Sequence, residues 1–134
     1  RLRNSYVFIG HDLAIGRFMS VDDAAMDVGR IVEHGPAAQV LGAPRHPYTR
    51  HLVEIARGDA PLEARTQPTE LPDPFNQPTG CRYRSRCPLA VAECAALQPE
   101  LRVLGAGHSV ACHLATAMPA AATPTPGPRA ALAT

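Results

Sequence analysis

The stretch GCRYRSRCPLAVAECAALQPELRVLGAGHSVACH, Gly80 to His113, contains all four cysteines of the 134-residue chain: Cys81, Cys87, Cys94 and Cys112. Five, six and seventeen residues separate them, Pro88 follows Cys87, and arginines stand at 82, 84 and 86. Thiols gathered in one stretch favour a shared ligand over four unrelated cysteines. Disulfides fit poorly, because no secretory leader is visible and a reducing compartment opposes them. Structural zinc usually draws on close pairs such as Cys-x2-Cys, which are missing here, although His108 or His113 can replace a thiolate. An iron–sulfur cluster takes four thiolates at wider, uneven spacing and often has Pro after a cysteine ligand. On spacing alone, cluster and zinc stand level.

The same stretch predicts a short helix from Pro88 to Leu97, with Cys87 just before it. Seven helical residues would separate Cys87 from Cys94 by about 10.5 Å along the axis, so Cys87 has to fold back from outside the helix. Arg82, Arg84 and Arg86 are expected either to form a solvated surface or to offset a thiolate-rich anion and lower the thiol pKa values.

Working outward, the N-terminal half reads as alternating short elements. Tyr6 to Ile9 is an apolar run without alternation, as in a strand buried on both faces. Asp12 is placed as N-cap of a helix to Ser20, with Leu13, Ala14, Ile15, Phe18 and Met19 on its apolar side. Gly16 inside that helix costs about 1 kcal/mol relative to Ala, so packing has to hold it. Residues 21 to 34 suggest a hairpin turning at Gly29-Arg30, its first arm weakened by Asp22, Asp23 and Asp27. Pro36 opens a helix to Leu41, ended by Ala43-Pro44. His46-Pro47-Tyr48-Thr49 opens another, with Tyr48, Leu52, Ile55 and Ala56 on one face. His46 reads as a structural cap, and His34 and His51 as solvent-facing.

From Gly58 to Gly80 the prolines at 61, 68, 72, 74 and 78 predict an extended connector, with Phe75 as an anchor. Thr116 to Thr134 is almost all Ala, Pro, Thr and Gly and is expected to be disordered. With three Phe, three Tyr and no Trp, the core is small. A net charge of +1 gives no reason to propose nucleic acid as partner. The uncharged run after Val103 is broken by proline and glycine, so direct membrane insertion is not expected.

The order of these features resembles the C-terminal part of the ATP-binding subunits of bacterial oligopeptide and dipeptide ABC importers. Phe8-Ile9-Gly10-His11-Asp12-Leu13 carries the resemblance first, followed by Gly29-Arg30-Ile31-Val32-Glu33-His34-Gly35-Pro36 and Pro44-Arg45-His46-Pro47-Tyr48-Thr49. Gly80-Cys81, Cys87-Pro88-Leu89, Cys94 and Ala111-Cys112-His113 complete it, over roughly residues 3 to 115. The His-Pro-Tyr-Thr element followed by this cysteine array is distinctive. The resemblance implies an α/β fragment: residues 1–57 as the end of an ABC-type nucleotide-binding domain, 58–79 as connector, 80–115 as an irregular cysteine-rich extension, and 116–134 as a tail. It implies that His11 is the switch histidine approaching the γ-phosphate of ATP, where a neutral imidazole can position water. It also implies that Cys81, Cys87, Cys94 and Cys112 hold a 4Fe-4S cluster, with zinc as the alternative.

The Gly-rich phosphate loop with its Lys, the acidic strand end and the ABC signature do not occur in these 134 residues. ATP and Mg²⁺ are therefore expected only in an intact subunit, and the chain reads as a fragment inactive alone. Gly10 stands where the family usually has a small hydroxyl residue, and the aspartates interrupt a strand that is normally apolar, as in an altered sheet edge or a decayed copy. The implied partners are a second ATP-binding subunit and membrane permease subunits, at the cytoplasmic face of the membrane. The competing reading is a stand-alone iron–sulfur or zinc module acting by interaction or redox sensing.

Overall fold

The computed structural model describes residues 4–61, 73 and 75–116. It is of mixed α/β composition: helix α1 (Leu13–Met19), strands β1 (Asp22–Asp27) and β2 (Arg30–Pro36), helices α2 (Ala37–Val40), α3 (Pro47–Arg57) and α4 (Ala92–Ala96), then strands β3 (Arg102–Gly105) and β4 (His108–Val110). The strands form one antiparallel sheet in the order β1-β2-β4-β3. The hairpin that follows the cysteines thus joins the edge of the earlier one. Glu33 and His34 pair with Val110 and Ser109, and Ala111 donates its N–H to the Val32 carbonyl at 2.8 Å.

Local chemistry sets most element ends. The Asp12 carboxylate accepts from the Ala14 N–H at 2.9 Å and starts α1. Pro36 precedes α2 as its cap, and Pro47 occupies the first turn of α3, where a missing N–H costs nothing. Gly58 ends α3 in a left-handed conformation.

The aspartates do not prevent β1. Asp23 accepts from the Ser20 hydroxyl at 2.7 Å, and buried Asp27 is paired with an arginine from the cysteine stretch, so both acids have partners. The turn is centred on Val28-Gly29, one residue earlier than the sequence predicts, with φ of 46° and 73°. Two positive φ values in a two-residue loop are those of a type I′ turn, which matches the twist of the strands.

A bulge lies opposite Ala25 and Met26, whose partners are Glu33 and Ile31. Val32 is the extra residue. Strict alternation would send Val32 and Glu33 to opposite faces, but both are buried. The bulge therefore directs a carboxylate inward.

Several expectations are corrected. Tyr6 to Ile9 forms no strand and is exposed, because no described segment supplies the ladder partners that an apolar strand needs. The buried side of α3 comprises Pro47, Thr49 and Val53, while Ile55 and Ala56 are exposed, so the packed stripe is rotated from the predicted one. His34 is exposed as predicted, whereas His51 is half-buried. Phe75 is 97% exposed and anchors none of the described residues. The cysteine-region helix is shorter than predicted, Ala92–Ala96, with Cys87 outside it. Strands β3 and β4 were not predicted; their signal is Gly105-Ala106-Gly107 between short apolar runs. The expected tail at 116–134 lies outside the described residues apart from Thr116. Two small apolar clusters result, Val40, Leu41 and Val53 with Leu13, and Val110, Cys112 and Ala115 with Leu104 and Leu114.

Val28 is a β-branched residue held at positive φ, a conformation that Asn tolerates far better. Val28→Asn should raise stability by about 1 kcal/mol, read as a higher urea midpoint at unchanged slope. An unchanged or lower midpoint would show that the half-buried Val28 side chain contributes more than the strain removes.

Candidate metal centre

The cysteine segment is built from tight turns. Arg84, Arg86, Cys87 and Ala90 donate main-chain N–H groups to Cys81, Tyr83, Arg84 and Cys87 in succession, at 3.0 to 3.3 Å. Its start is tied to α4: Cys81 N–H donates to the Cys94 carbonyl at 2.8 Å, and Arg84 Nη1 reaches the Thr79 and Ala95 carbonyls at 2.6 and 3.0 Å. Gly80, at φ 75°, lies so close to α4 that a Cβ there would collide with the Cys94 and Ala95 carbonyls.

These contacts bring the four cysteines together. Cys81, Cys87, Cys94 and Cys112 line one cavity of about 10 Å³, with His46, Tyr83 and His113 also on its wall. Cys94 and Cys112 are buried, and Cys81 and Cys87 are half-buried. All four are free thiols. His11 is exposed at the bend before α1 and does not line this cavity.

The donor chemistry suits a thiolate-binding ion or cluster, since four sulfurs and two imidazoles surround a single space. Among the described residues no group of three or more His, Cys, Asp or Glu is arranged to hold a metal ion. The volume is about that of one water. The thiols are gathered, then, but not drawn onto a common centre.

Electrostatics reverses the expectation for the arginines. Burial pushes the Cys81, Cys87 and Cys112 thiols up, and neighbouring cysteines push each of them further. The arginines are used elsewhere. Arg86 Nη2 contacts both oxygens of Asp27, at 3.0 and 2.8 Å, and its guanidinium lies 4.9 Å from the Tyr83 ring centroid. Arg82 Nη1 donates to the Val28 carbonyl at 2.5 Å. Two of the three arginines thus fasten the cysteine segment to the β1–β2 turn, and the third closes it on α4.

Tyr83, between the first two cysteines, is 5% exposed. Its ring sits 5.8 Å from that of His46 and 5.5 Å from that of Tyr48, the latter edge-on. Burial pushes the Tyr83 hydroxyl up to about 12. His46 caps α3 through Nδ1, which accepts from the Tyr48 N–H at 3.1 Å. With Nδ1 accepting, the ring proton lies on Nε2, and the ring also bonds to the Ala111 main chain next to Cys112.

Behind His46 is Glu33, fully buried. Its carboxylate accepts from the Arg45 N–H at 2.7 Å and the His46 N–H at 3.0 Å, and lies 2.6 Å from His108 Nε2. Sequence reading assigned no role to Glu33 or Tyr83. A lone acid inside Ile31-Val32-Glu33 and a lone aromatic among arginines were the available signals.

Burial lowers the His46 pKa from 6.5 to about 4. The unfolded chain therefore binds the extra proton across that window. Stability is complete above about pH 6.5 and falls as pH drops towards 4, by about 3 kcal/mol for this group. His46→Asn keeps a capping acceptor but cannot titrate. It should lower stability at pH 7 and flatten the slope between pH 4 and 6.5, followed by urea denaturation at each pH. Parallel slopes for the two proteins would remove His46 as the source.

Residues 32–94 match the family described as the oligopeptide/dipeptide transporter C-terminal region, a span that includes Cys81, Cys87 and Cys94. The chain is 42% identical over 130 residues to a probable peptide ABC transporter ATP-binding protein of Sinorhizobium fredii, covering 95% of this chain and 36% of that protein. It is 40% identical over 116 residues to a di/tripeptide transport ATP-binding protein of Pseudomonas aeruginosa, covering 84% and 36%. A putative peptide import ATP-binding protein of Brucella abortus is 42% identical over 113 residues, covering 82% and 33%. The chain spans about a third of the length of these curated relatives.

Proposed function

Because this chain is homologous to the C-terminal region of the ATP-binding subunits of peptide and oligopeptide ABC transporters, we propose that it performs that region's part in ATP-driven peptide import. The single observation that carries the site assignment is the convergence of Cys81, Cys87, Cys94 and Cys112 on one cavity. These four residues would hold a 4Fe-4S cluster. When bound, the cluster supplies a cross-link among three separated segments: the turn region 81–87, helix α4 and the residues after β4.

The chain's own residues prepare that site. Arg84 and the Cys81–Cys94 main-chain bond fix the start of the segment against α4, Arg82 and Arg86 fix its middle to the β1–β2 turn, and Tyr83 wedges it against His46 and Tyr48. In the intact subunit, ATP and Mg²⁺ are bound with the help of a Gly-rich loop that these 134 residues do not contain. His11 approaches the γ-phosphate there. The subunit pairs with a second ATP-binding subunit beneath membrane permease subunits, at the cytoplasmic face. No helix among the described residues is long and apolar enough to cross a membrane.

A second reading, a single zinc ion, draws support from the small cavity and from His113 on its wall. The two readings separate by metal content. Protein prepared without oxygen should be brown, absorb broadly across the near-ultraviolet and visible, and contain about four iron atoms per chain. Cys94→Ser should release the iron and loosen residues 80–113 to proteolysis. Stoichiometric zinc without iron would support the single ion, and unchanged iron content in Cys94→Ser would remove Cys94 as a ligand.

A further inference from the structure

Two of the four cysteines are related more closely than a shared cavity requires. Cys81 and Cys94 are joined by a main-chain hydrogen bond of 2.8 Å. Covalent geometry on either side of a single N–H···O=C bond of that length limits the two Cα atoms to within about 6.7 Å of each other, inside the span of about 4.4 to 6.8 Å that a disulfide bridges. Two further observations place the same main-chain segments side by side. A Cβ at Gly80 would collide with the Cys94 and Ala95 carbonyls, and Arg84 holds the Thr79 and Ala95 carbonyls with one nitrogen. Both residues line the same cavity. Among the described residues, neither Cys87 nor Cys112 has a main-chain bond to another cysteine.

We propose that, in the metal-free chain, Cys81 and Cys94 are a thiol–disulfide redox pair that peroxides oxidise. The inference goes beyond cluster binding and concerns the same sulfurs when no metal holds them. Exposure assigns the roles: Cys81 is half-buried and meets the oxidant, and Cys94 is 7% exposed and resolves. The Cys81 sulfur attacks one oxygen of hydrogen peroxide and gives up its thiol proton in the step. An S–O bond forms, the O–O bond breaks, and the departing hydroxide takes up a proton as water. The Cys94 sulfur then attacks the sulfenic sulfur. The S–S bond forms, the S–O bond breaks, and the hydroxyl leaves with the Cys94 proton as a second water. The thiol pair loses two electrons and one peroxide becomes two waters. The disulfide withdraws two ligands at once, so the oxidised chain cannot complete a four-thiolate site until a dithiol reduces it.

The test uses the full chain, stripped of metal with chelator and reductant under nitrogen, freed of both, and then treated with hydrogen peroxide. Thiols titrated after denaturation should fall from four to the two of Cys87 and Cys112. Non-reducing peptide mapping should recover a Cys81–Cys94 cross-link that dithiothreitol reverses. The Cys87→Ser/Cys112→Ser double variant should form the same link. Cys94→Ser should instead leave a Cys81 sulfenic acid that dimedone traps. Oxidised chain, with only Cys87 and Cys112 left as thiols, should give a weaker cadmium–thiolate charge-transfer band than reduced chain. A cross-link between any other pair, only intermolecular disulfides, or four persistent thiols would overturn the proposal. Because the mapping is done without metal, a chain that never loads iron can pass, and one that loads iron can fail.

Discussion

The buried carboxylate of Glu33 is the constraint on which the other parts of the structure depend. A charge with no exposed surface is tolerable only where donors surround it, and Glu33 has the main-chain N–H groups of Arg45 and His46 and the ring of His108. Glu33 stands on β2, and its partners come from two other places, the loop entering α3 and β4. One side chain thereby fixes the start of α3 relative to the sheet and holds the late hairpin against the early one. The bulge at Val32 makes this possible, since regular alternation would leave Glu33 on the face opposite its buried neighbour.

From Glu33 the order propagates outward through His46. Its N–H is held by the carboxylate, its Nδ1 caps α3, and its ring faces Tyr83 and bonds beside Cys112. The His46-Pro47-Tyr48 element is therefore the joint between the helical part and the cysteine segment. Protonating that ring would remove the capping acceptor and place an uncompensated charge in an apolar setting, which is the physical reason its pKa falls.

Features governed by neighbouring residues were legible in the sequence. Asp12 and His46-Pro47 marked helix starts, Ile31 to His34 marked a strand, and the clustering of four cysteines marked a shared site; the family resemblance followed from the same segments. Features governed by distant residues were not. Tyr6 to Ile9 has strand composition, but pairing depends on partners that local pattern does not report. Asp27 looked like a poor strand residue because its partner, Arg86, is 59 positions away. The three arginines looked like a surface or a counter-charge to the thiols because spacing does not show which way a long side chain turns. The face of α3 was misplaced for a related reason: Val53 is buried against Val40 and Leu41 from elsewhere in the chain, whereas Ile55 is left 40% exposed.

The direction of the arginines also determines what the thiol site is like without a ligand. Had the three guanidinium groups faced the sulfurs, the thiols would be drawn towards thiolate and mutual repulsion would be relieved by bound cations of the protein itself. Instead Arg86 satisfies a buried aspartate, Arg82 a turn carbonyl and Arg84 two carbonyls near α4. Burial then keeps Cys81, Cys87 and Cys112 towards the neutral thiol form. Neutral thiols repel one another little, so four of them can share a small cavity at modest cost. A metal or cluster entering there has to displace their protons, which makes its binding depend on pH. The architecture is consequently set by contacts outside the sulfurs, and ligand binding adds to a segment whose course is already fixed.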